Sequence, residues 1–166
     1  MTLIELMVAT VLATIVFAVV GTLAVYTARS FVAMGNYNDL DEASQNALDT
    51  LSHEIRATRN LSSYTPTKLV FVDWDNASLT YEWIPSTGLL TRTKAGVTTT
   101  LLKQCDYLRF GISQRNCTND FNFYSTTNAP TQAKLVDVSW RCSRQILQQK
   151  VNTESVQTAK IVIRNH

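Results

Sequence analysis

The sequence predicts an α+β protein in which one long N-terminal helix packs on an antiparallel β-sheet domain. Three observations predict this fold class. Residues 1–28 are almost entirely apolar, and residues 29–59 place apolar side chains at helical spacing among polar ones. Residues 60–166 change to the period of two that is typical of strands. We therefore expect a hydrophobic helix, an amphipathic helix half and a C-terminal β domain in these three ranges.

The first element is a helix whose apolar half is long enough to cross a bilayer. Residues 1–28 rise about 42 Å as a helix, and bilayer hydrocarbon is about 30 Å thick. Glu5 is the only charged side chain in this segment, and no Lys or Arg precedes Arg29. The missing basic residues argue against a cleavable signal peptide. An ordinary single-pass anchor explains the length but not Glu5, because a charge at the bilayer centre costs about 3 kcal/mol.

The amphipathic half is predicted to continue the same helix to about Thr58. No proline interrupts residues 1–65, so nothing in the sequence forces a break. Apolar residues recur three and four positions apart, and we expect this stripe to pack on one face of the sheet. The stripe consists of Phe31, Met34, Leu40, Ala43, Ala47, Leu48, Leu51 and Ile55.

The β domain is predicted to be a meander of short strands. Its segments alternate apolar and polar residues or run β-branched and aromatic, and turn residues such as Asp75-Asn76 separate them. The predicted strands are 68–74, 78–84, 89–94, 97–105, 106–113, 120–125, 133–142 and 157–165.

The chain has three cysteines, so they cannot all pair within it. An unbroken strand from Cys105 to Cys117 would hold these two residues about 40 Å apart, too far for a disulfide. If 106–115 pairs antiparallel with 134–144, Cys105 falls nearly opposite Cys142. We therefore favour a Cys105–Cys142 disulfide over the other pairings and over three reduced thiols, the more so if the domain lies outside the cytoplasm.

The composition argues against a nucleic-acid-binding protein, a metalloprotein and an enzyme. The net charge of +2 is too small for a nucleic-acid footprint, and there are two histidines and no phosphate-loop or hydrolase motif. Residues 73–76 could offer oxygen ligands to calcium, but a hairpin turn explains the same residues. We predict no catalytic residue, no metal ligand and no cofactor.

The segment Thr2-Leu3-Ile4-Glu5-Leu6-Met7-Val8-Ala9 resembles the mature start of type IV pilins and type II secretion pseudopilins. The acid at the fifth position, the continuing amphipathic helix and the β domain after it agree with that family. The closing Ile163-Arg164-Asn165 looks like the end of the larger minor pilins and pseudopilins. Two positions depart from the pattern: Met1 stands where phenylalanine is commonest, and Thr22 where many pilins have proline.

The resemblance implies a processing route. Such proteins carry a short basic leader that a membrane prepilin peptidase removes before it methylates the new amino terminus. The sequence starts where that cut would fall, so Met1 would be the processed and methylated residue. The implied partners are the inner membrane before assembly, the peptidase and the pilus assembly machinery, and then other pilin subunits in an extracellular pilus or a periplasmic pseudopilus.

The resemblance also gives Glu5 a role in assembly. In this family's filaments the apolar helices form a central bundle, and Glu5 of one subunit meets the N-terminal amine of a neighbour, here Met1. This pairing relieves the cost of a carboxylate in hydrocarbon and sets the axial register. The simpler alternative is an acid tolerated near the helix N-terminus, where the helix dipole favours it.

The predicted function is a non-enzymatic structural subunit of a type IV pilus or pilus-like filament. Within this class, the sequence favours a minor pilin or type II secretion pseudopilin over a major pilin. The alternative from another class is a monomeric, membrane-anchored binding domain of the cell envelope.

Overall fold

The computed structural model describes residues 2–117, 122–145 and 154–163, and these have the predicted α+β fold. One helix, α1, spans Leu3–Ala57. Nine strands follow within the described residues. They are β1 (Asn60–Thr65), β2 (Lys68–Val72), β3 (Ser78–Ile84), β4 (Leu89–Lys94), β5 (Val97–Leu102), β6 (Cys105–Cys117), β7 (Asn122–Thr126), β8 (Ala133–Ser143) and β9 (Glu154–Val162), with a 3₁₀ turn at Pro130–Gln132 before β8.

Helix α1 joins the apolar and amphipathic halves without a break, as the sequence predicted. Thr2 caps its N-terminus, and Thr58 turns extended at its C-terminus while its backbone N–H bonds back to the Ile55 carbonyl. At a rise of about 1.5 Å per residue the helix is about 82 Å long. Any contact on its N-terminal half is therefore far from contacts at its C-terminal end.

The strands form two antiparallel sheets. The predicted meander is confirmed for β2–β5, but it is wrong for the later strands, which form a second sheet with a different order. The first sheet has the order β1-β2-β3-β4-β5 and the second has the order β7-β6-β8-β9. The chain crosses between them at Lys103 and Gln104, where Gln104 adopts a positive φ of 59°. A positive φ turns the chain sharply, so the strands on its two sides need not pair with each other.

The core lies between the two sheets and the C-terminal half of α1. Phe71 and Tyr81 enter it from the first sheet, Phe110 and Trp140 from the second, and each is almost completely buried. The helix contributes Leu40, Ala47, Leu51 and Ile55, together with the buried hydroxyl of Ser44.

The apolar stripe expected on α1 packs on the β domain only from Leu40 onward. Phe31 and Met34, the first two members of the expected stripe, are 71% and 65% exposed. Since the β domain does not reach that far down the helix, residues 3–35 project from it.

Candidate assembly surface

The N-terminus of α1 is closed by reciprocal hydrogen bonds between Thr2 and Glu5. The Glu5 backbone N–H donates to the Thr2 hydroxyl at 3.4 Å, and the Thr2 backbone N–H donates to Glu5 Oε2 at 2.8 Å. This is a capping box, which the Thr-x-x-Glu spacing predicts, although our sequence analysis did not identify Thr2 as a cap. No hydrogen-bond partner of Glu5 Oε1 lies among the described residues. Met1, the expected partner from a neighbouring subunit, is outside them.

The threonine hydroxyls inside the apolar half form hydrogen bonds within the helix itself. The four threonines inside this half, and Ser30 just after it, each donate to a backbone carbonyl three or four positions earlier, so these hydroxyls need neither water nor a partner chain. Glu5 is the only charged side chain of this half. The hydroxyls that bond in this way are Thr10, Thr14, Thr22, Thr27 and Ser30.

The exposed apolar surface of α1 is longer than a bilayer is thick. The helix is long and apolar enough to cross a membrane. Exposed apolar side chains continue past Arg29 as Phe31, Val32, Met34 and Tyr37. From Leu3 to Tyr37 this surface extends about 52 Å along the helix, whereas hydrocarbon covers about 30 Å and the whole bilayer about 40–45 Å.

A half-buried ion pair ties the C-terminal part of α1 to the first sheet. Arg92 on β4 donates to both carboxylate oxygens of Glu54, and the Tyr81 hydroxyl on β3 donates to the same carboxylate. Burial alone would raise the pKa of the Glu54 carboxyl. The hydrogen bonds from Arg92 and Tyr81 and the charges of Arg92 and Lys94 outweigh burial and hold this pKa below its usual value.

A second polar contact fixes the point where α1 leaves the β domain. Arg144, just after β8, donates from Nη1 to Asp39 Oδ2 at 2.9 Å and from Nε to Gln104 Oε1 at 2.9 Å. It also reaches the Asn36 side chain at 3.4 Å. Together with the Glu54 contact, this holds α1 on the domain at two points more than three turns apart.

Cys105 and Cys142 lie directly opposite each other on β6 and β8, in the register expected from the sequence. The neighbouring Ser143 N–H donates to the Gln104 carbonyl at 3.1 Å, so the cysteines occupy a non-hydrogen-bonded pair, where antiparallel strands are closest. Both are buried free thiols in this structure, and the disulfide stays a prediction. A hydrogen bond shared with Cys142, together with burial, raises the pKa of the Cys105 thiol. The side chain of Cys117 is outside the described part of the structure.

The turn at residues 73–76, which was considered as a calcium site, is held by contacts with other groups. Asp73 bonds Lys94 Nζ at 2.9 Å and accepts the Trp74 backbone N–H at 2.8 Å. The Lys94 hydrogen bond lowers the pKa of the Asp73 carboxyl. Within the described ranges, no group of three or more His, Cys, Asp or Glu residues is placed to hold a metal ion.

Comparison with known proteins adds no assignment. No protein-family model, no curated protein and no solved structure matches the chain. The chain's own geometry and the resemblance of residues 2–9 are therefore the grounds for a functional proposal. Of the closing residues that carried the second resemblance, Arg164 and Asn165 lie outside the described residues.

Proposed function

We propose that the protein is a structural subunit of a type IV pilus or pilus-like filament, assembled through α1. The observation that carries the proposal is the length of exposed apolar surface on this helix. A bilayer can cover one part of that surface, whereas a bundle of α1 helices from several subunits covers all of it.

The segment between the membrane and the β domain decides between a filament and a lone anchor. With residues 5–25 in hydrocarbon, Phe31 and Met34 lie beyond the hydrocarbon edge, and the β domain does not cover them. Removing each of these side chains from water is worth about 1.5–3 kcal/mol. A monomeric anchor forgoes that free energy, and neighbouring helices in a filament supply it.

Glu5 supports the same proposal. Its Oε2 accepts the Thr2 backbone N–H, while Oε1 points to no partner among the described residues. A neighbour's N-terminal amine can pair with this oxygen without breaking the capping box. The pair supplies the axial register that an apolar bundle lacks, since apolar surfaces slide past one another with little discrimination.

The finer assignment follows the resemblance of residues 2–9. Prepilin peptidase and the pilus assembly machinery act on the chain, which is held in the inner membrane before it enters an extracellular pilus or a periplasmic pseudopilus. We place it with the minor pilins and pseudopilins, and its role is structural and not catalytic.

The test compares Glu5→Leu with wild type in cells that carry the assembly machinery, by measuring the chain in sheared filaments and in membranes. We expect Glu5→Leu to be absent from filaments and retained in membranes. Thr10→Leu is the matched control, because it also replaces a polar residue of the apolar half, one whose hydroxyl bonds only within the helix.

The alternative, a monomeric membrane-anchored binding domain, predicts the opposite result. Wild-type chain would be found only in membranes, and Glu5→Leu would behave like Thr10→Leu or be retained better. Mass spectrometry of the N-terminal peptide adds an independent check, because a subunit of this family carries a methylated Met1 and an unprocessed anchor does not.

A further inference from the structure

Two oppositely charged side chains on α1 have no partner in the part of the chain that the structure describes. Arg29 lies at the end of the apolar half, and Glu42 lies on the helix face turned away from the β domain; both are exposed. The nearby acids are already engaged. Asp39 pairs with Arg144, and Asp41 accepts from the side chains of Gln45 and Gln157.

Arg29 and Glu42 have the separation and the directions that a contact between parallel copies needs. They are thirteen positions apart on one unbroken helix, which is about 20 Å along its axis. At about 100° per residue, their side chains point about 140° apart around the helix. Two parallel neighbours meet through opposite sides, so Arg29 of one copy can face Glu42 of another that is displaced by that distance.

The other charges on α1 that have no partner among the described residues are less suitable, either because of their direction or because of the charges beside them. Arg56 is fourteen positions from Glu42 and only about 40° from it around the helix, so both point to the same side. Asp49 is nearly opposite Arg29, but it shares its face with His53 one turn later and Arg56 two turns later. Glu42 has two more acids beside it, and no Lys or Arg lies between Arg29 and Arg56.

We infer that Arg29 of one subunit forms an ion pair with Glu42 of a neighbouring subunit displaced by about 20 Å along the filament axis. The inference rests on the proposed function and names the surfaces through which subunits meet. The contact joins two different patches, so it repeats from copy to copy and builds an open helical assembly instead of a closed dimer. It also fixes the register about 36 Å along the helix from Glu5, where a single pair at the N-terminus leaves the bundle free to splay.

Cysteine cross-linking in intact filaments tests the contact. In Arg29→Cys/Glu42→Cys, oxidation should join successive copies into a ladder of dimers, trimers and longer species, because every copy carries both halves of the contact. The control is Arg29→Cys/Asp49→Cys, which requires a displacement of about 30 Å and should give no ladder. Wild type and the two single variants, Arg29→Cys and Glu42→Cys, reveal any cross-links that come from the native cysteines.

Charge reversal tests the same contact without added thiols. Arg29→Glu should lower filament yield about tenfold, since it places like charges together. The double variant Arg29→Glu/Glu42→Arg should recover most of the wild-type yield. A yield that stays low in the double variant overturns the inference.

The remaining outcomes separate this inference from the proposed function. If wild-type chain forms no filaments, the proposed function fails and the inference fails with it. If filaments form but the Arg29–Glu42 ladder is missing, or if the Asp49 control gives the ladder, the inference is wrong and the proposed function stands. If Arg29→Glu depletes the membrane pool and not the filament yield, Arg29 binds lipid headgroups and the inference is again wrong.

Discussion

Arg92 and Glu54 join the first sheet to the helix through a two-pronged ion pair. Arg92 Nε donates to Glu54 Oε2 at 2.7 Å, and Nη2 donates to Oε1. The two side chains are 20% and 16% exposed, so the pair is shielded from most of the solvent. The pair lies one turn from Leu51 and next to Ile55, at the most deeply buried part of the helix.

We expect Glu54→Gln to lower the free energy of unfolding by about 2–3 kcal/mol, because Arg92 is left charged and half-buried without its counter-ion. The measurement is urea unfolding of the full chain in detergent, followed by tryptophan fluorescence, to which the buried Trp140 contributes. Glu42→Gln, an exposed acid on the same helix, should cost less than about 0.5 kcal/mol. Equal effects of the two substitutions would contradict this role of the ion pair.

The depressed pKa of Glu54 also predicts how stability depends on pH. The carboxylate stabilises the folded chain fully above its ordinary pKa of 4.5 in the unfolded chain, and this contribution disappears as the pH falls through the lower folded value. The stability gap between wild type and Glu54→Gln should therefore be constant from pH 7 to pH 5 and shrink below about pH 4. Urea titrations of both chains across this range measure the gap. A gap that widens in acid would show that the pKa is raised.

The positions of Cys105 and Cys142 predict a disulfide that forms without moving the strands. Under oxidising conditions, non-reducing peptide mapping should find these two cysteines linked and Cys117 unpaired. The bridge closes a long loop and should stabilise the chain by about 4 kcal/mol against reductant. In the reduced chain, the raised pKa and burial of Cys105 should make its alkylation slow until the chain unfolds. A map that links Cys117 to either residue would contradict the register between β6 and β8.

The sequence predicted those strands whose residue pattern is regular over a short, continuous segment. The strands β3 and β4 have the predicted bounds. Their alternating apolar and polar residues and the turn between them follow one another directly in the sequence, so the hairpin can be recognised without knowing the fold. The strand β1 was missed because only Leu61 and Tyr64 carry an apolar pattern, and a bulge between Leu61 and Ser63 breaks the period of two.

The division into two sheets could not be predicted in the same way. It depends on Gln104 turning the chain and on which strands share the core, and neither leaves a periodic pattern in the sequence. The candidate assembly surface and its neighbouring contacts could likewise be predicted only in part. Glu5 stood out as a lone charge, whereas the partners of Asp39 and Glu54 are distant in the sequence and are visible only in the fold.

Substitution of the exposed Phe31 distinguishes an effect on assembly from an effect on folding. Its side chain contacts no part of the core, so Phe31→Asn should leave the urea midpoint of the chain unchanged. If neighbouring helices cover this segment, the substitution should still lower filament yield several-fold, because a polar amide replaces an apolar side chain in the bundle. Gln45→Asn, also exposed on α1 but polar already, is the matched control and should assemble normally. Wild-type yield from Phe31→Asn would mean that the segment stays in water, which would remove the main support for a filament over a lone membrane anchor.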